Sequence, residues 1–337
     1  MADAPDPAAP TATDRIALAG STVAIPPLGV GTWAWGDTST WGMDGYDPSY
    51  TEATIRDAWQ ASIEAGVVLF DTAEVYGKGE SERIIGRLLA EDPSVRDRIV
   101  LASKFMPAPQ KLNVTAALVS AARASAERMG VESIDLYQIH GPISLRSKDA
   151  LAEALVTAQA EGLVKAVGVS NYSAKETRRI DAALRSRGAR LATNQIEYSL
   201  LRTAPEEVGL LECCRELGVV PLAYSPIGQG RLTGKYSAAN PVPKSRTFSA
   251  HPMEQVDAVV AVLRRVGAAH DRTPGQVALA WCIAKGSVPI PGAKHRDQAE
   301  QNAGALGWAL TGEELAALDA VALRGTRSLQ NRFWQHG

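Results

Sequence analysis

One feature constrains the fold more than any other: short apolar runs of strand length recur eight times, each separated from the next by a stretch of helical length. The runs lie at 28–32, 67–71, 99–104, 134–140, 165–170, 193–198, 219–225 and 288–291. Between them, segments such as 51–64, 81–90, 114–129, 148–161 and 205–217 are amphipathic at helical spacing. Strands that alternate with helices are joined by crossovers and lie parallel. Eight such units close on themselves, so the spacing predicts an α/β fold, a (β/α)8 TIM barrel. Thr273-Pro274 marks a helix start, Thr as N-cap and Pro in the first turn, and that helix leads into the eighth strand.

Around this core the chain reads simply. Two short β-prone pieces flank Ala19-Gly20-Ser21 and predict an N-terminal β-hairpin that plugs one barrel end. Residues 1–14, rich in Ala, Pro and Asp, cannot bury enough apolar surface to offset their ordering entropy and are expected to form a disordered tail. Residues 15–337 are then one domain, and 337 residues at 45% hydrophobic content suffice for its core. Insertions at 35–48 and 231–252 follow the first and seventh strands, on the face where barrel active sites lie.

The charge balance narrows the partners. With 35 basic and 37 acidic residues the net charge is −2, which offers nothing to nucleic acid or an anionic membrane. The expected partner is a small molecule. No apolar run approaches the roughly 18 residues needed to span a bilayer, and residues 1–14 lack a positive region followed by an apolar stretch, so export is not expected. Cys213 and Cys214 are adjacent and Cys282 stands apart, a spacing that fits packing on helices rather than a disulfide framework or a metal site. A reducing cytoplasm is the expected compartment.

Polar residues at the C-terminal ends of strands carry the chemistry, because an apolar strand has no structural need to finish in a charge. Strand two ends in Leu69-Phe70-Asp71-Thr72-Ala73, followed by Tyr76-Gly77; strand three ends in Ala102-Ser103-Lys104; strand four reads Ile134-Asp135-Leu136-Tyr137-Gln138-Ile139-His140. Taken singly, Asp71 fits a loop cap, Lys104 a surface charge and His140 a structural histidine. Together, on successive strands, Asp71, Tyr76, Lys104 and His140 form a plausible proton-transfer group. Reducing a carbonyl needs a proton for the developing alkoxide, and a tyrosine near pKa 10 is a weak donor. Lys104 beside it is expected to lower that pKa, Asp71 to hold the ammonium, and neutral His140 to orient the substrate carbonyl.

In order, spacing and strand context these residues resemble the aldo-keto reductase family, and the resemblance extends over roughly 28–306. Further matches are Gly168-Val169-Ser170-Asn171, Asn194-Gln195, Ala223-Tyr224-Ser225-Pro226, the run Gly228-Gln229-Gly230-Arg231-Leu232-Thr233-Gly234-Lys235, and Ile290-Pro291-Gly292-Ala293-Lys294 with Gln301-Asn302. The resemblance implies NADPH as cofactor, with NADH the lesser alternative. It also implies that Ser170, Asn171 and Gln195 hold the nicotinamide carboxamide and that the ring stacks on Tyr224. Backbone amides from Pro226 to Leu232 would cradle the pyrophosphate, with Ser225, Gly228, Gly230 and Lys235 alongside. There is no G-x-G-x-x-G after a first strand, so the binding mode is not the Rossmann one.

Two departures from the family pattern stand out. At the adenosine end, Gly292-Ala293 replaces the common Lys-Ser, and Gln298 stands where an arginine is frequent; Lys294, His295 and Arg296 remain as a basic cluster at a predicted helix start. After His140, Gly141-Pro142 replaces a bulky aromatic, which predicts a thinned and widened substrate pocket lined by Trp33, Trp35 and Phe333 or Trp334, with Trp41 packing its own loop. The function expected is reduction of an aldehyde or ketone by a monomer. The alternatives are an NADPH-binding redox-sensing regulatory subunit with little turnover and a barrel aldolase using Lys104 as a Schiff-base nucleophile.

Overall fold

The predicted hairpin pairs β1 (Ile16–Ala17) with β2 (Ala24–Ile25) antiparallel. Its apolar residues Leu18, Val23 and Ile25 pack against Leu69, Ala102, Leu136, Leu222 and Val288, so it closes the floor of the barrel. The computed structural model describes residues 9–36, 51–237, 239–243, 248–325 and 333–337. Of the expected tail, residues 1–8 lie outside the described residues. Residues 9–14 lie against the body, where Gly307 N donates to Pro10 O at 2.8 Å and Ala12 packs on the core.

Eight parallel strands follow in chain order: β3 (Gly29–Gly31), β4 (Leu69–Asp71), β5 (Val100–Phe105), β6 (Ile134–Ile139), β7 (Val164–Ser170), β8 (Leu191–Glu197), β9 (Val220–Tyr224) and β10 (Val288–Pro289). A parallel bridge between Gly31 and Gly292, with Gly31 N donating to Pro291 O at 2.9 Å, joins first to last and completes the (β/α)8 barrel. All eight predicted strands are present.

Alternation along the strands builds the site. Residues two apart share a face, so each inward row climbs from an apolar floor residue to a polar one: Leu69 to Asp71, Ala102 to Lys104, Leu136 to Gln138, Leu222 to Tyr224. Outward residues Phe70, Leu101, Tyr137, Ile139, Val167 and Val169 pack into the main core beneath the helices. Gly168 is required at its level of the barrel, because a Cβ there would come 2.1 Å from Thr193 Oγ1 and 3.0 Å from Gln138 Cγ.

The helix start predicted at Thr273 is present, and other helices are capped in the same way. Thr51, Asn113, Ser147, Ser173 and Thr273 each accept from a first-turn backbone N–H, and Pro274 opens the helix Pro274–Ala284. The stretch 205–217 departs from expectation: it is two helices, Ala204–Glu207 and Leu210–Leu217, broken where Gly209 takes φ 70°. Cys213 and Cys214 lie buried on the second of these and Cys282 is buried on Pro274–Ala284. The insertion after β3 falls mostly at 37–50, outside the described residues together with Trp41. Among the described residues no helix is long and apolar enough to cross a membrane.

Candidate active site

The strand ends bring Asp71, Tyr76 and Lys104 into one hydrogen-bonded group. Lys104 Nζ donates to Asp71 Oδ1, to Thr72 O at 2.8 Å and to Tyr76 Oη at 3.3 Å. Tyr76 reaches this position from a tight turn after β4 in which Gly77, Lys78 and Gly79 all have positive φ. A Cβ on Gly77 would also strike Gly36 O at 2.6 Å. His140 follows β6, and its ring meets that of Tyr76 edge-on with centroids 5.6 Å apart. Asp71, Tyr76 and His140 line the cleft at the barrel rim, while Lys104 is fully buried behind them.

Two glutamines complete the group. Gln195 Nε2 donates to Asp71 Oδ2 at 2.8 Å, and Gln138 Nε2 donates to the same oxygen at 3.1 Å while Thr193 Oγ1 donates to Gln138 Oε1 at 3.2 Å. Asp71 is thus fixed by three donors, not by Lys104 alone. Gln138 was not among the expected site residues. A glutamine on the inner face of an otherwise apolar strand, two before His140, was the signal available.

Burial changes one expectation about acidity. Desolvation raises the Tyr76 phenol above its usual 10, and although Lys104 pulls it down by charge and hydrogen bond, burial prevails. For Lys104, burial disfavours the charge, yet Asp71 and Tyr76, by charge and hydrogen bond, together outweigh it and hold the ammonium above its usual value. Burial, aided by the Lys104 charge, holds the His140 imidazole well below 6.5, which favours its neutral form at physiological pH.

From this corner the cleft runs across the barrel mouth. Of the residues expected to bind cofactor, Ser170, Asn171, Gln195, Tyr224, Ser225, Pro226, Gly230, Lys235, Gly292, Lys294 and Gln298 line it. Four others do not. Leu232 is wholly buried, Gly228 is packed under Leu201, Gln301 faces outward, and Asn302 Nδ2 donates to Gly292 O at 3.3 Å, so it supports the wall from behind. Asn171, Ser225 and Gln229 adopt left-handed backbone (φ 63°, 51° and 53°), a costly conformation for non-glycine residues that clusters at functional sites.

The aromatic end also differs from expectation. Trp33 and Trp334 line the cleft, but Trp35 is buried beside Trp59 and Phe70 with its indole donating to Ala293 O at 2.9 Å, and Phe333 is exposed. Gly141 does not line the cleft, because the Trp334 ring occupies the space its side chain would fill. Phe248, unanticipated, packs edge-on to both Trp33 (5.9 Å) and Tyr224 (5.7 Å). It lies in the insertion after β9, whose residues 238 and 244–247 are outside the described ones.

A parallel eight-stranded barrel with tyrosine, lysine, aspartate and histidine gathered at the C-terminal rim of its strands defines an oxidoreductase of the aldo-keto reductase type. The chain belongs to the aldo/keto reductase family, whose model matches residues 27–323. It is 35% identical to the chloroplastic pyridoxal reductase of Arabidopsis thaliana over 93% of this chain and 87% of that protein. Among solved structures it is similar to the glycerol dehydrogenase of Gluconobacter oxydans, with a TM-score of 0.78 at 27% identity over 94% of this chain and 98% of that one. It is also similar to an aldo-keto reductase from Klebsiella pneumoniae in complex with NADPH, with a TM-score of 0.70 at 28% identity over 92% and 95%.

Proposed function

We propose that the chain reduces an aldehyde or ketone to the alcohol, with NADPH as the hydride source and Tyr76 as proton donor. The observation that carries this reading is the Tyr76 hydroxyl at the cleft, 3.3 Å from the Lys104 ammonium that Asp71 holds in place. When bound, the cofactor supplies the hydride. Tyr76 then delivers its proton to the oxygen of the reduced carbonyl, and Lys104 stabilises the phenolate left behind. Neutral His140 offers an N–H to the same oxygen. The arrangement separates two tasks: burial keeps the resting phenol protonated, and the adjacent ammonium makes loss of that proton tolerable in the reaction.

The residues present fit a nicotinamide dinucleotide phosphate. Ser170, Asn171 and Gln195 present amide and hydroxyl groups at the catalytic end, beside the Tyr224 ring. In the turn Gly228–Thr233 the N–H groups of Gly228, Gly230 and Leu232 bond to Ser225 O and Ile227 O, so the cation at the cleft that suits the pyrophosphate there is Lys235. Gly230 takes φ 92°, a conformation that favours glycine, and Lys235 Cε lies 3.0 Å from where a Cβ would stand. Lys294 lines the opposite end, where a 2′-phosphate would need a cation. Trp33, Phe248 and Trp334 favour an apolar or aromatic carbonyl compound. Three buried free thiols suit a reducing cytoplasm.

A Schiff-base role for Lys104 would require a neutral amine facing the cleft. Instead Lys104 is fully buried, and Asp71 stabilises its charge. The test is a panel of aldehydes and ketones, headed by pyridoxal because the Arabidopsis relative is named for it, with NADPH consumption as readout. Turnover lost in Tyr76→Phe supports the reading. Tight NADPH binding without turnover of any carbonyl would sink it in favour of a redox-sensing subunit, and a borohydride-trapped adduct at Lys104 in favour of an aldolase.

A further inference from the structure

A buried carboxylate outside the proton-transfer group lies at the end of β8. Glu197 is 2% exposed. Ser249 Oγ donates to its Oε1 at 2.8 Å, Arg202 Nε lies 3.6 Å from Oε2, and Gln335 Nε2 donates to Oε2. The same Gln335 nitrogen donates to Tyr224 Oη at 2.9 Å, and Tyr224 Oη lies 2.9 Å from Asn171 Oδ1. Glu197, Gln335 and Asn171 are all buried, and Gln335 Oε1 has no hydrogen-bond partner among the described residues.

The direction of this relay follows from what each group can donate. A carboxylate only accepts, so Glu197 selects the amide nitrogen of Gln335 and leaves its oxygen unpaired. The second hydrogen of that nitrogen goes to Tyr224, whose oxygen therefore accepts. Burial, with Glu197 acting in the same sense, pushes the Tyr224 phenol up, so it keeps its proton and donates it onward to Asn171 Oδ1. The carbonyl of Asn171 is thereby engaged. What Asn171 offers the cleft is its Nδ2, one hydrogen of which goes to Ser170 Oγ at 3.0 Å.

We propose that Glu197 is a positioning residue that sets the polarity of the relay through Gln335 and Tyr224 and so presents Asn171 as a hydrogen-bond donor to the carbonyl oxygen of the nicotinamide carboxamide. This rests on the reading of the cleft as an NADPH site. Without a fixed acceptor at the start, the Gln335 and Asn171 amides are free to turn, and a turned Asn171 sets oxygen against oxygen.

The test compares two ligands by fluorescence titration: NADPH, and 2′-phospho-ADP-ribose, which lacks the nicotinamide. In Glu197→Gln the shape is kept but the acceptor-only group is lost, and in Gln335→Leu the link itself is cut. Both variants are expected to bind NADPH about tenfold more weakly, the scale of one buried hydrogen bond. Both should bind 2′-phospho-ADP-ribose as wild type does, and the double variant should be no weaker than either single one. A merely structural role for Glu197 would weaken both ligands alike. Equal losses for the two ligands, or unchanged NADPH affinity, overturn the proposal. If Glu197→Gln does not fold, Gln335→Leu decides by the same criteria. Wild-type protein that binds 2′-phospho-ADP-ribose but not NADPH, or neither, overturns the cofactor reading and the relay with it.

Discussion

The indole of Trp334 stands over the backbone of Gly141, where a Cβ would come within 3.0 Å of its Cη2 and Cζ3. The same ring meets His140 with centroids 5.5 Å apart, so the tail residue supplies the wall that glycine leaves out. Trp334→Ala should therefore raise kcat/KM for bulky aromatic ketones by about tenfold relative to propanal, the scale of a changed apolar contact in a substrate pocket. Gly141→Trp should displace Trp334 rather than fill a void. A size profile unchanged in Trp334→Ala would assign the limit to Trp33 and Phe248 instead.

Tyr76→Phe removes the proposed proton donor and little else, since the ring still meets His140. Carbonyl reduction should fall by about 10²–10⁴-fold while NADPH affinity stays near wild type. Steady-state rates and a binding titration on the same preparation check both halves. Activity within about threefold of wild type would mean that water or another group delivers the proton.

The barrel was legible because its signal is local and repeated: apolar runs of strand length such as 67–71 and 134–140 alternate with stretches of helical length. The same runs exposed Asp71, Lys104 and His140 as polar ends of apolar strands. What they could not convey was solvent exclusion. Lys104 beside Tyr76 reads as an acidifying pair, but the burial that raises the phenol depends on surfaces contributed by the whole barrel. Gly141 was misread for a related reason: its partner, Trp334, is remote in sequence, and no local pattern links them. Glu197 ends a strand as Asp71 does, yet its partners Ser249 and Gln335 come from two irregular segments.

His140 gives a signed pH effect on stability. Its imidazole is held well below 6.5 by burial and by the Lys104 charge, whereas the unfolded chain protonates near 6.5. Below that value the unfolded state binds a proton that the folded state does not, so stability is lost as pH falls from 6.5 toward the folded-state value. In His140→Gln the loss of stability between about pH 7.5 and about pH 5.5 should be smaller, by up to about 1.4 kcal/mol at the lower pH. Equal acid sensitivity in both proteins, measured by thermal melts, would place the titrating groups elsewhere.

Lys294 and Arg296 are the two cations that could read a 2′-phosphate, and of them Lys294 lines the cleft while Arg296 does not. Arg296 Nη1 lies 3.1 Å from both Glu64 and Glu300, so two carboxylates already engage its charge. Lys294 lines the cleft, its backbone N–H donating to Gln298 Oε1 at 2.8 Å, an arrangement that holds the loop ahead of the helix Arg296–Ala303. Lys294→Ala should weaken NADPH binding by about 10–100-fold, the worth of one charged hydrogen bond. NADH binding should change little, because NADH carries no 2′-phosphate for the cation to meet. Raising salt should narrow the gap between wild type and variant, since a partly exposed ion contact is screened. Parallel titrations with the two cofactors decide the matter: equal losses for both would show that Lys294 supports the loop rather than the phosphate, and the same titrations on Arg296→Ala would then show whether that guanidinium leaves its carboxylates to bind the cofactor.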